Sequence, residues 1–194
     1  MSLGKKGWMV FVLFLFVNVL NAQETFVLVP SKSELTVKGT SSLHDWHMAA
    51  GLFSGSFEGG LNTNADLEIN NVSIECKAAS IKSDNSIMDD KAHDALKVKK
   101  HEKISFTSKQ PLAVIVNGGT LNSKVGGALS IAGQAQNISI PFKGEVDTEG
   151  NVKVKGTLVL KMSDFNMKAP TALMGTIKTG DEVVVDYTFY FQKK

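Results

Sequence analysis

The chain has 194 residues and an almost balanced charge, with 21 basic and 19 acidic side chains and a formal net charge of +2. Every basic residue in that count is a lysine, so no arginine is present to hold a phosphate or a carboxylate with a bidentate guanidinium. This composition argues against nucleic acid as a partner and against phosphoryl transfer as an activity.

The N-terminus has the order of a secretory signal: Lys5 and Lys6, then an apolar stretch at residues 8–20, then Asn21 and the small residue Ala22. We expect cleavage after Ala22, so that residues 1–22 are a signal peptide and residues 23–194 are one exported domain, in the periplasm or the medium. An apolar run of about 13 residues is too short to span a bilayer. The mature domain should therefore have no integral membrane span.

After residue 24, apolar and polar residues alternate, which predicts β-strands with one apolar face. The clearest strands carry Val152, Val154, Leu158, Leu160 and Met162, and then Val183, Val185, Tyr187, Phe189 and Phe191. The apolar parity changes across Asn70-Asn71, which predicts a bulge or bend, and glycine pairs such as Gly126-Gly127 indicate turns or strand bends. We expect about eight or nine strands, in a closed up-and-down barrel or a two-sheet sandwich.

One amphipathic helix is predicted at residues 87–98. Its apolar face would carry Met88, Ala92, Ala95 and Leu96. Ser86 or Asn85 would cap its N-terminus. A single helix inserted into a series of strands is compatible with either arrangement of the strands.

Candidate chemistry concentrates in residues 39–47, Gly-Thr-Ser-Ser-Leu-His-Asp-Trp-His. The glycine and the hydroxyl residues favour a bend between strands, and Trp46 brings apolar area with an N–H that needs an acceptor. His44 is either a loop histidine bonded to local backbone or a direct contact to a ligand.

An alternative is a metal- or haem-assisted redox or catalytic protein that uses His44 and His47, with a third ligand from His93 or His101. Helical spacing cannot be assumed for the first two, because their segment follows a predicted strand. Cys76, the only cysteine, lies on an alternating apolar face, which favours a buried structural thiol. No nucleophile elbow, phosphate-binding glycine loop or nucleotide fingerprint is present, so we do not predict an enzyme.

The motif at residues 39–46 resembles the signature of the YceI-like family, small secreted lipocalin-type barrels whose first long strand ends in Gly-Thr-Ser-Ser-x-His-Asp-Trp. Other similar segments are Phe26-Val27-Leu28-Val29-Pro30, Phe53-Ser54-Gly55-Ser56-Phe57, Leu96-Lys97 with His101, Asp164-Phe165, Pro170-Thr171-Ala172-Leu173, Gly175-Thr176-Ile177-Lys178 and Gly180-Asp181-Glu182-Val183. Together they extend over residues 24–192. The chain departs from the family pattern at Glu102, where a proline usually follows the histidine, and His47 has no counterpart in that pattern.

The resemblance implies an all-β fold, a single antiparallel lipocalin-like barrel of about eight strands with one short inserted helix. It also implies an apolar interior that holds an isoprenoid chain, of the isoprenoid quinone or polyprenyl phosphate type, with no cofactor and no metal. Inward positions expected to contact the chain are Leu35, Val37, Leu129, Ile131, Val185, Tyr187 and Phe189, and His44, Trp46 and Leu96 are expected near the opening.

Three further possibilities stay open. The barrel interior could be filled by side chains, which would leave a ligand-free surface interaction module. The lysine-rich run at residues 97–103 could be a solvated face or could meet a diphosphate or a lipid head group. An exposed edge strand would also allow two copies to pair as a homodimer.

Overall fold

The computed structural model describes residues 23–62, 64 and 66–194. The predicted signal peptide, residues 1–22, lies outside the described residues. In the described part, fourteen strands follow one another: β1 (Glu24–Leu28), β2 (Glu34–Ser41), β3 (Trp46–Ala50), β4 (Phe53–Leu61), β5 (Leu67–Lys77), β6 (Ile81–Lys82), β7 (Lys103–Ser108), β8 (Leu112–Val114), β9 (Val116–Asn117), β10 (Thr120–Ile131), β11 (Gln134–Val146), β12 (Val152–Lys161), β13 (Thr171–Ala172) and β14 (Ile177–Lys193). One α-helix, α1 (Ser86–Ala95), lies between β6 and β7.

Eight of these strands close a ring in the order β1-β4-β5-β7-β10-β11-β12-β14, and β14 pairs with β1 to complete it. All the pairings are antiparallel. The all-β, eight-stranded barrel implied by the family resemblance is therefore confirmed, and the two-sheet sandwich is wrong. Every pairing that closes the ring lies between Glu24 and Lys193, so a chain that begins at Gln23 contains all of them.

The long strand β14 has a different neighbour on each edge. One edge pairs with β12 from Val152↔Phe191 to Lys161↔Glu182. The other edge pairs first with β2 and then with β1. The turn of 3-10 helix Pro30–Lys32 separates β1 from β2, because proline has no N–H to donate to a strand neighbour. β1 and β2 therefore run in the same direction along β14, with a break between them at the 3-10 turn.

The predicted irregularity at Asn70-Asn71 is a β-bulge. Ser56 is opposite Ser73 and Glu58 is opposite Asn70, so Phe57 on β4 faces two residues of β5. Asn71 takes a left-handed backbone conformation, with φ of 46°, which asparagine tolerates better than most residues. The prediction of a bulge is confirmed, and the bulge bends β5 as closure of a small barrel requires.

The helix α1 begins at Ser86, one residue before the predicted start, and ends at Ala95, three residues before the predicted end. The Asn85 side chain accepts a hydrogen bond from the backbone N–H of Met88 at 3.1 Å, so Asn85 is the cap. At the other end Lys97 has φ of 54°, and the N–H groups of Lys97 and Val98 bond to the carbonyls of Asp94 and His93, each at 3.0 Å. This is a Schellman termination with lysine where glycine is usual, which explains why the predicted end at residue 98 was too late. No helix in the described part of the chain is long and apolar enough to cross a membrane.

Aromatic side chains fill one end of the barrel, which we call the closed end. Phe26 stacks on Phe57 with ring centroids 4.5 Å apart, and Phe57 meets Phe191 edge-on at 5.1 Å. Phe189 lies against Phe191 at 6.3 Å. Leu67, Val114 and Val152 are almost completely buried beside them. Aromatic rings are large enough to meet across a barrel of this size, so this end has a packed core.

Glycines on the inner face of the wall lie directly beneath aromatic rings. A Cβ on Gly127 would overlap the Phe106 ring and the carbonyl of Thr107, and a Cβ on Gly156 would overlap the Tyr187 hydroxyl. The neighbouring Gly126 has room, since the nearest atom to its Cβ position is Oε1 of Gln110 at 3.8 Å. Gly126-Gly127 lies inside β10, so of the two predicted alternatives a turn is wrong and a strand bend stays a prediction; Gly127 accommodates a ring across the strands.

We expect Gly127→Ala to lower the free energy of unfolding by about 1–3 kcal/mol, because the methyl group would displace the Phe106 ring and the Thr107 backbone. Gly126→Ala is the matched control and should change it by less than about 0.5 kcal/mol. Urea unfolding followed by fluorescence measures both. Equal effects of the two variants would contradict this role of Gly127.

Candidate functional site

The inner faces of the strands enclose a cavity of about 680 Å³. It extends from the aromatic rings of the closed end, including Phe57, Phe189 and Phe191, to an opening at the other end. Around the opening lie the turn after β2, the helix α1 and the segment 165–177. A cavity of this size is within the range of small-molecule sites, roughly 300–1,000 Å³.

The cavity exists because the middle of the barrel is lined by aliphatic side chains that are too short to meet across it. The side chains that show this are Val125, Ile140, Val154, Leu158 and Val185, which all line the cavity and are only half-buried although they point inward. In a packed core such residues would be fully buried. The hypothesis of a barrel filled by its own side chains is therefore wrong for this part of the interior.

All ten residues predicted to contact a ligand line this cavity. They are Leu35, Val37, His44, Trp46, Leu96, Leu129, Ile131, Val185, Tyr187 and Phe189. Leu96, Leu129 and Phe189 are buried, His44 is exposed, and the other six are half-buried. Contact with a ligand stays a prediction for each of them.

The turn between β2 and β3 is held by its own hydrogen bonds. The Ser41 hydroxyl accepts from the N–H groups of Leu43 and His44 at 3.2 and 3.1 Å and donates to the His44 carbonyl at 2.8 Å. Nδ1 of His44 lies 2.8 Å from the carbonyl oxygen of Asp45. This geometry places the imidazole at the opening. Its bond to the local backbone agrees with the first of the two interpretations of His44, the loop histidine.

The indole ring of Trp46 lines the cavity and lies over Gly39. Its indole Nε1–H donates to the carbonyl of Thr40 at 3.1 Å, which supplies the acceptor that the sequence called for. Gly39 is its partner on β2, and a Cβ there would overlap the indole ring. The Gly-Thr-Ser-Ser-x-His-Asp-Trp motif therefore builds one side of the cavity opening: the glycine receives the ring, and Ser41 shapes the turn.

Sequence reasoning missed most of the remaining opening. The missed residues include Asn85, Ile87, Lys91 and Ala92 of the helix region, and Met167, Leu173 and Ile177 of the segment before β14. The amphipathic pattern of α1 identified its apolar face, but it could not show that this face covers a cavity. The second segment is made of short turns and 3-10 helix, which have no periodic pattern to read.

Two of the ionisable groups that line the cavity, the Tyr187 hydroxyl and the Cys76 thiol, are kept neutral by burial. The Tyr187 hydroxyl donates to the carbonyl of Pro141 at 2.7 Å, and burial raises the pKa of Tyr187 to about 12. Burial also raises the pKa of the Cys76 thiol, as expected for the structural cysteine that the sequence predicted. The charged residues that line the cavity are Lys91 and Lys161, and no aspartate or glutamate is among its lining residues. Such an interior suits an apolar guest.

The histidines are dispersed. His44 is at the cavity opening, whereas His47 is exposed and follows Trp46 on β3, so its side chain points to the outer face of the wall. Nε2 of His93 lies 2.9 Å from the carbonyl of Ile81, and the His101 ring packs against Gly133. Among the residues that the structure describes, no group of three or more histidine, cysteine, aspartate or glutamate side chains is placed to hold a metal ion.

Three solved structures share this architecture. BcnA of Burkholderia cenocepacia is 19% identical, the match covers 84% of this chain and 98% of that chain, and the TM-score is 0.62. A polyisoprenoid-binding domain from Saccharophagus degradans, implicated in plant cell wall breakdown, is 14% identical, with 87% of this chain and 98% of that chain covered and a TM-score of 0.66. The YceI protein of Campylobacter jejuni is 19% identical, with 75% of this chain and 82% of that chain covered and a TM-score of 0.56. At these identities the likeness shows the fold alone. No curated protein matches the chain significantly.

The sequence pattern of the YceI-like domain matches residues 26–191, which include nearly all of the barrel. The match contains the motif at residues 39–46, which builds one side of the opening, and the strands that close the ring. The chain therefore belongs to the YceI-like family.

Proposed function

We propose that the chain binds an isoprenoid lipid, holds its apolar tail inside the barrel and serves for carriage, storage or sequestration outside the cytoplasm. The observation that carries the proposal is the cavity of about 680 Å³, apolar along its length and open at one end. Support also comes from the fold shared with the Saccharophagus degradans protein, which is described as a polyisoprenoid-binding domain.

Apolar burial alone can supply strong binding in such a cavity. Each buried methylene contributes roughly 0.8 kcal/mol, so ten of them give about 8 kcal/mol before the entropy of association is subtracted. The tail needs no polar partner, which agrees with an inner wall whose tyrosine hydroxyl is already bonded to Pro141. Recognition of the tail would then depend on how well its width and length fit the cavity.

The head group would lie at the opening, where the polar lining residues include His44, Asn85 and Lys91. The ammonium groups of Lys91 and Lys161 suit a phosphate, whereas the imidazole and the amide suit the carbonyl oxygens of a quinone. The choice between a polyprenyl phosphate and an isoprenoid quinone is therefore made by a few side chains at one end of the site.

Export is proposed on the sequence of residues 1–22, with its two lysines, apolar stretch and Ala22. In that location, a carrier would keep the apolar tail of its lipid away from water.

Native mass spectrometry with lipid extraction tests ligand and export together. The full chain is expressed without a tag and purified from the exported pool. We expect a mature mass that begins at Gln23 and an additional bound mass of an isoprenoid quinone or a polyprenyl phosphate. An apoprotein that also refuses added quinones and polyprenols would contradict lipid binding, and a mass that retains residues 1–22 would contradict cleavage.

Val185→Asp should abolish uptake of a quinone, because Val185 lines the cavity and an ionised carboxylate cannot be desolvated there without a partner. Val185→Phe, which adds no charge, should reduce uptake by filling the tube. Val159→Asp is the matched control, since Val159 is exposed on the outer face of the adjacent strand β12.

Quenching of Trp46 fluorescence by a short-chain quinone measures uptake, because Trp46 is the only tryptophan beyond residue 22 and lines the cavity. Circular dichroism shows which variants are folded. Uptake by folded Val185→Phe equal to that of Val159→Asp would remove Val185 from the site.

A further inference from the structure

Large apolar side chains project into solvent around the opening of the cavity, and we call them the apolar rim: Leu43, Ile87, Leu173 and Met174. The side chains of the first three are between 66% and 71% exposed, and Met174 is fully exposed. Leu43, Ile87 and Leu173 also line the cavity. The rim comes from three separate segments, the turn after β2, the first turn of α1 and the 3-10 helix Leu173–Gly175. Burial within the barrel does not explain why these residues are apolar.

The backbone beneath two of these residues is unfavourable as well. Leu173 and Met174 have φ of 47° and 55°, and Gly175 follows with φ of 92°. Left-handed conformations are costly for leucine and methionine, and asparagine or glycine would adopt them more easily. The side chains of Leu173 and Met174 are therefore exposed to water although the backbone that carries them is strained. Strain of this kind is typical of functional positions.

The charged side chains that line the opening are all positive. Lys91 and Lys161 line the cavity and no acidic side chain does. Lys168 and Lys178 are exposed on either side of the strained bend, and none of these four lysines forms an ion pair among the described residues. Asp45 belongs to the turn after β2, and Asp84, Asp89, Asp90 and Asp94 lie in or beside α1, but none of them lines the opening. The groups that do line it, apolar side chains and two lysines, match the interface of an anionic bilayer.

We propose that the apolar rim docks the open end of the barrel onto the surface of an anionic bilayer, so that a lipid tail passes between bilayer and cavity without crossing water. This inference rests on the proposed function, because docking at the opening serves the loading or delivery of a lipid. Leucine, isoleucine and methionine side chains enter the boundary between head groups and acyl chains, and the lysines meet anionic head groups. The closed end of the barrel takes no part.

Flotation with vesicles tests the docking. The chain from Gln23 to Lys194, which excludes the apolar stretch at residues 8–20, is mixed with vesicles of equal parts phosphatidylcholine and phosphatidylglycerol. Met174→Asn should weaken vesicle binding by roughly tenfold and Leu173→Asn with Met174→Asn by roughly a hundredfold, since each removes a large apolar group. Asparagine tolerates the left-handed backbone, so these variants should fold.

Ile115→Asn is the matched control. Ile115 is 67% exposed, follows β8 and lies outside the cavity lining. Its variant should bind vesicles as the native chain does. Docking by the apolar rim is overturned if Met174→Asn and the double variant float like the native chain, or if Ile115→Asn loses as much binding as Met174→Asn. Equal binding of the native chain to vesicles of pure phosphatidylcholine would overturn the anionic preference.

Quenching of Trp46 by a soluble short-chain quinone separates this inference from the proposed function. Met174 does not line the cavity, so Met174→Asn should keep native affinity for the quinone while it loses vesicle binding. If the native chain takes up no quinone but still floats in a manner that depends on Met174, the proposed function fails and the docking surface stands. If uptake is normal and flotation does not depend on the rim, the docking fails alone.

Discussion

The architecture depends on β14, which pairs along both of its edges and so closes the ring. This strand of 17 residues bonds to β12 along one edge and to β2 and β1 along the other. Closure gives β14 a partner on both edges, which shortens the free sheet edge that could aggregate, and it fixes the diameter of the barrel, since strand number and diameter are linked. The identity of the inward side chains then decides whether the interior is full or empty.

The inward side chains of β14 fill the interior at one end of the strand and leave it empty at the other. Near its C-terminus the inward residues are Phe189 and Phe191, which are buried against other rings. Toward its N-terminus they are Val185 and Val183, and Val185 remains half-buried because nothing reaches it across the barrel. One strand therefore contributes a packed core at one end and the wall of the cavity at the other. The closed end supplies packing energy independent of any guest, so the open half can stay empty without loss of the fold.

The wall of the site could be predicted from sequence because period-2 alternation determines which side chains point inward, and every position chosen on that basis, such as Leu35 and Ile131, lines the cavity. The choice of a barrel over a sandwich needed the family resemblance, since strands of both alternate in the same way. The opening could not be predicted. Ile87 and Leu173 reach it from a helix turn and a strained bend, and their placement depends on tertiary packing and on backbone conformations that leucine rarely adopts.

The opening is also firmly built where α1 crosses it. Asn85 caps the start of the helix, Nε2 of His93 meets the Ile81 carbonyl at 2.9 Å, and Nζ of Lys97 donates to the carbonyl of Asn166 at 3.1 Å. The last of these contacts joins the helix end to the segment that leads to the strained bend. A helix attached to the wall and to the facing segment keeps the cavity preformed, so under the proposed function a lipid tail would lose little affinity to reorganisation of the protein. Under the two proposals, the barrel would hold the lipid tail, and the apolar rim would bring the opening to the bilayer that contains it.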